Sequence, residues 1–188
     1  DDADSCDDCS NGQYDTSDDG ADFDCDGTCD AGDDTVGGEI TLSFATLDNS
    51  GAGDGDDDGL ADQSDENTIG INYDLTGCSG ISGFQFTVEG VDLISATDGA
   101  LTVQSANNNV IAFDFSGAQI CPEGDCSGSL ASLVFFGELD GATISLSNVV
   151  IGSSGGTDIA DSGPGSAAIA ACTNYDDDDL CDIDVDGD

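Results

Sequence analysis

The chain has 188 residues, 42 of them acidic, and no Lys, Arg or His to offset them. With no cationic side chain it has nothing to set against the phosphates of a nucleic acid, and anionic membrane surfaces repel it. No apolar run approaches the roughly 20 residues of a membrane span; no signal-peptide pattern is present, and with no Met the text reads as processed or as a fragment.

Residues 1–35 form an Asp/Cys-rich segment with too little apolar surface to offset its own ordering entropy. Within it, "DFDCDGTCDAGD" has the layout of a twelve-residue calcium loop. Such a loop supplies oxygens from positions one, three, five, seven, nine and twelve, and calcium takes about six to eight of them. Asp22, Asp24, Asp26, Thr28, Asp30 and Asp33 hold those positions, and Gly27 at position six permits the sharp bend. "DTSDDG" at 15–20 is a weaker relative, because its ninth position is Phe23.

Residues 36–160 change character. "GEITLSFATL", "TIGINYDL", "ISGFQFTVEGVDLISA", "LTVQSA", "VIAFDFSG", "GSLASLVFFGEL" and "ATISLSNVVIG" are short, rich in Val, Ile, Phe and Thr, and separated by Gly, Asn, Asp and Ser. Several alternate with period two, so Phe84, Phe86 and Val88 face one way while Gln85, Thr87 and Glu89 face the other. The pattern predicts an all-β fold, a two-sheet jelly-roll-like sandwich of about seven to nine strands. Its expected core takes Phe44, Phe84, Phe86, Phe113, Phe115 and part of the Phe135–Phe136 pair. Between the first two strands sits a second calcium loop, "DGDDDGLADQSD", with Asp54, Asp56, Asp58, Leu60, Asp62 and Asp65 at the ligand positions and Gly59 at six. No amphipathic helix flanks either loop, which argues against the helix-opening type of calcium switch.

The order and wording of "GEITLSFATL", "GISGFQFTVEGVDLISA", "NNVIAFDFSG" and "GSLASLVFFGELDGATISLSNVVI" resemble the cohesin-like and carbohydrate-binding β-sandwiches of secreted bacterial proteins. The resemblance implies a jelly-roll-type sandwich on an extracellular or cell-surface protein.

Residues 161–171 read as a Gly/Ser/Ala-rich linker, and 172–188 as an Asp-rich calcium-binding tail. The tail ends on "DIDVDGD", half a calcium loop formed by Asp182, Asp184, Asp186, Gly187 and Asp188. Joined to the head of an identical copy, it continues through Asp2 at position nine and Ser5 at twelve. That junction predicts either a tandem array or subunits docked head to tail, and a head-to-tail contact that does not close makes a filament. "CDDCSNGQYDTSDDGADFDCDGTCDAGD" and "YDDDDLCDIDVDGD" also resemble thrombospondin type 3 repeats, which implies irregular, calcium-stabilised, disulfide-containing terminal segments.

Nine Cys point to an oxidising compartment. Cys121 and Cys126 bracket the tight "PEGD" turn and are placed for a local bridge, whereas Cys78 has no obvious partner, and the remaining connectivity is open. Cys without His lacks its usual catalytic base, and a carboxylate pair means little among so many acids. The chain therefore reads as a non-enzyme: an extracellular, Ca2+-rigidified repeating unit of a filament, stalk or adhesin. The other reading is a module that binds a glycan or a surface protein, although no Trp exists and the three Tyr are scattered.

Overall fold

The computed structural model describes residues 34, 36–47, 66–77, 79–97, 100–122, 124–136, 141–153 and 156–171. Among them every regular element is a strand: β1 (Glu39–Phe44), β2 (Glu66–Thr76), β3 (Ile81–Glu89), β4 (Leu93–Thr97), β5 (Thr102–Ala106), β6 (Asn109–Phe113), β7 (Cys126–Phe136), β8 (Ala142–Ser153), β9 (Ala160–Ser162) and β10 (Ser166–Ile169). They make two five-stranded sheets, in the orders β4-β7-β2-β1-β9 and β10-β8-β3-β6-β5. No helix of the described residues is long and apolar enough to cross a membrane.

Period-two alternation builds the core as expected. Phe84, Phe86 and Val88 are buried, and the two rings stack with centroids 5.7 Å apart. Most of the remaining filling is aliphatic: Ile69, Ile71 and Leu75 from β2, Leu130 and Leu133 from β7, Ile144 and Ile151 from β8. Each such side chain, fully withdrawn from water, is worth about 1.5–3 kcal/mol. Phe135 is buried and Phe136 exposed, while Phe44 only packs against the margin of the core.

Phe115 departs from its expected place in the core and stands 95% exposed. The strand ends at Phe113 because Asp114 turns the chain. Its Oδ2 accepts hydrogen bonds from the backbone N–H groups of Ser116 (2.7 Å) and Ala118 (3.0 Å), and also from the Ser116 hydroxyl. Phe113 departs from the expected core as well: β6 turns Val110 and Ala112 inward and Ile111 and Phe113 outward, and Phe115 continues that outward side from the turn.

The single run expected over 81–96 divides between the sheets. Gly90 has φ +88°, and a Cβ there would collide with the carbonyl oxygen of Thr143. The chain bends at this glycine and crosses from β3 in one sheet to β4 in the other. Asn108 fixes the corner: its Nδ2 donates to the carbonyls of Val88 (3.2 Å) and Val91 (2.7 Å), and its Oδ1 accepts from Leu93 N–H (3.1 Å).

Residues 161–171, expected as a linker, instead contribute to both sheets. β9 pairs in parallel with β1, and β10 runs antiparallel to β8. Without this segment the outer edges of β1 and β8 would leave backbone groups unpaired. Ile159 and Ile169 pin it by burial.

Strand polarity places entry and exit at opposite ends. β1 begins beside Thr76, the last residue of β2. β10 ends beside Ala142, where β8 begins. β8 follows β7, which finishes beside Glu66, the first residue of β2, and Phe136 N–H there bonds to the Asp92 carbonyl in the β3–β4 corner. The end of β1 and the start of β2 therefore both lie at the exit end.

Candidate functional site

Asp2, the loop positions Asp22 to Asp33 and Asp54 to Asp65, and Asp182 to Asp188 all lie outside the described residues. Among the described residues no group of three or more Cys, Asp or Glu is placed to hold a metal. The expected bridge between Cys121 and Cys126 is present, with Cα atoms 6.2 Å apart, and the Tyr73 hydroxyl lies 3.3 Å from Cys126 Sγ.

The surface that stands out is the outer face of β8, β3, β6 and β5. Register aligns its side chains in rows across the strands. One row runs Val150, Gln85, Ile111, Gln104. The next, toward the entry end, runs Gly152, Gly83, Phe113, Thr102, so two glycines form a bare shelf beside the Phe113 ring. Phe115 extends the apolar band beyond the strand, its ring meeting Phe113 edge-on with centroids 5.0 Å apart. Ile111 and Val150 are 45% and 40% exposed and lie in the same row.

On the other side of this band a polar network stiffens the face. The Thr87 hydroxyl donates to Asn109 Oδ1 (2.9 Å) and accepts from Asn148 Nδ2 (3.5 Å). Asn148 Nδ2 also reaches Ser147 Oγ (3.4 Å), which donates to Glu89 Oε1 (2.7 Å). Asn148 has φ 51° at a bulge where β8 and β3 slip register. Between these groups and the band lies an open groove of about 540 Å³, lined by Gln85, Thr87, Asn109, Ile111 and Asn148.

Charge separates this face from the rest of the chain. Glu89 is the only acidic residue in any strand of its sheet, whereas the opposite sheet carries Glu39, Glu66, Asp74 and Asp161. The opposite sheet has its own groove of about 470 Å³, but Thr41, Ser43, Asn72, Asp74 and Ser127 line it, and no exposed apolar residue joins them. Sequence reading looked for a Trp/Tyr platform and so passed over Phe115. The signal that would have found it is Asp114-Phe-Ser116, in which an Asp two residues before a Ser forms a side-chain-capped turn and pushes the intervening ring outward.

No protein-family model matches the chain, and no curated protein matches its sequence. Solved structures do. A cohesin module from a family 33 glycoside hydrolase of Clostridium perfringens aligns over 71% of this chain and 97% of its own length, with 10% identity and a TM-score of 0.50. The seventh ScaB type I cohesin of Pseudobacteroides cellulosolvens aligns over 72% and 95%, with 14% identity and a TM-score of 0.44. A chain of a type I cohesin–dockerin complex from Clostridium thermocellum aligns over 65% and 87%, with 10% identity and a TM-score of 0.41. The fold is thus a cohesin-like β-sandwich.

Proposed function

We propose that this chain is a structural, protein-docking module of an extracellular or cell-surface assembly, and that it docks through the outer face of β8, β3, β6 and β5. The observation that supports this most is the near absence of charge there. A chain with 42 carboxylates places one in that entire sheet, and engages it with Ser147. Solvated acids elsewhere keep the molecule soluble, and the uncharged, partly apolar patch is where desolvation on contact costs least. The cohesin-like fold, and the cohesin–dockerin complex among the similar structures, favour protein over glycan as the bound species. With no His, Lys or Arg in the chain, the role is binding and not catalysis.

A second part of the reading concerns the ends. The chain enters the sandwich at one end and leaves at the other. That geometry suits copies strung head to tail, with Ca2+ held by the loops from Asp22 and Asp54 and by the tail from Asp182, which Asp2 of the next copy completes. Calcium would then supply the ordering free energy that these acidic segments lack.

Hydroxyl-radical footprinting of the native assembly against the isolated chain tests the docking face. Phe115 and Ile111 are expected to be labelled several-fold less in the assembly, with Phe136 on the opposite sheet as the internal comparison. Equal labelling of Phe115 in both states would remove the proposal.

A further inference from the structure

The docking face carries both a projection and a recess. Phe115 stands free of the surface at 95% exposure, and its position is fixed from two sides: the Phe113 ring packs against it, and Asp114 closes the turn that bears it. The groove between β3, β6 and β8 opens on the same face, with Ile111 among its lining residues. A face holding both halves of a contact is self-complementary, as a two-fold interface requires: each copy gives its projection to the other's recess.

Charge selects the occupant. A cationic partner would be recognised through carboxylates, which this chain has in abundance and of which this face holds two, Glu89 bonded to Ser147 and Asp114 tied into its own turn. A face so low in free charge suits a partner against which carboxylates would be a liability, meaning one as acidic as the chain itself. Resting on the docking role given to this face, we propose that its occupant is a second copy of the same chain, paired face to face about a two-fold axis, with Phe115 of each copy seated in the groove of the other. Four strands about 4.8 Å apart offer a patch at the small end of specific interfaces. A single pair is therefore weak, and copies strung on one strand strengthen it by repetition. This contact is lateral, separate from any end-to-end junction.

Sedimentation velocity of the full chain decides it, run in chelator, so that no calcium-bridged end-to-end contact adds mass, and in about 1 M salt, where the Debye length of about 3 Å removes most repulsion between copies. The wild type is expected to approach twice its monomer mass as concentration rises. Phe115→Ala and Ile111→Asp should each weaken association at least tenfold, and Phe136→Ala should not. Phe115 is too exposed for its loss to unfold the sandwich, and circular dichroism checks this for all three variants. A wild type that stays monomeric to millimolar concentration overturns the pairing, as does association that Phe115→Ala leaves unchanged or that Phe136→Ala weakens equally. Footprinting separates the two levels. Protection of Phe115 in native material from a chain that does not self-associate overturns the second copy and keeps the docking face, whereas absence of protection removes both.

Discussion

Asp114 carries more of the candidate site than its exposure suggests. The Ser116 hydroxyl and the Ala118 N–H hold its carboxyl below the usual carboxylate range. A carboxylate whose folded pKa is lowered contributes its stabilisation fully above the ordinary value of about 3.9. It loses that contribution as pH falls through the lower folded value. Acidification should therefore release the turn, and Phe115 in the wild type near pH 2 should become as mobile as in Asp114→Ala near neutrality. Side-chain NMR reads both quantities, the Asp114 titration and the order of the Phe115 ring. A titration midpoint at or above the ordinary value would show that these hydrogen bonds contribute nothing. At this scale the text was only half legible: Phe84, Phe86 and Val88 announced their burial by alternation, but the same period at Phe113 and Phe115 does not say which face is inward, and in β6 that face belongs to the smaller Val110 and Ala112. The capped turn at Asp114, a competition between side chain and backbone for the same donors, then ends the strand two residues before Phe115.

The most dependent joint between elements is the corner from β3 to β4. Asn108 makes three hydrogen bonds there, from a residue whose φ of 62° suits Asn or Gly. Asn108→Gly keeps the backbone conformation and removes the side chain, so the loss is chiefly that of those bonds, with a smaller part from the freer unfolded chain. We expect a destabilisation on the order of 2–3 kcal/mol, from about 1 kcal/mol per bond, measured by urea unfolding in calcium. A change under about 0.5 kcal/mol would mean that Gly90 and the buried Val91 hold the corner unaided. Short, β-branched, alternating segments made the sandwich readable, and the tight "PEGD" turn made the Cys121–Cys126 bridge readable. The division of residues 81–96 between two sheets was not, because a glycine inside a strand pattern marks a bulge as readily as a crossing. Nor were β9 and β10, whose Ser and Ala carry almost no strand preference and are ordered by the open edges they fill.

The whole molecule sets a β-rich body with sparse, scattered acids against acidic text concentrated in residues 1–33, 48–65 and 172–188. If calcium orders those stretches, a chelator should open them to proteolysis several-fold faster while residues 36–47 and 66–171 persist. Trypsin has no site in this chain, so the measurement needs a chelator-tolerant protease that cuts at acidic residues. Cleavage at equal rates with and without chelator would count against calcium. The opposed entry and exit points have a mechanical corollary. In a string of copies, tension arrives at the start of β1 and departs from the end of β10, and so runs along the strands. The ladder bonds joining β1 to β2 and β10 to β8 lie across that pull and share the load together, in shear, instead of unzipping singly. Such a body resists stretching best along the one direction in which a tether would be strained.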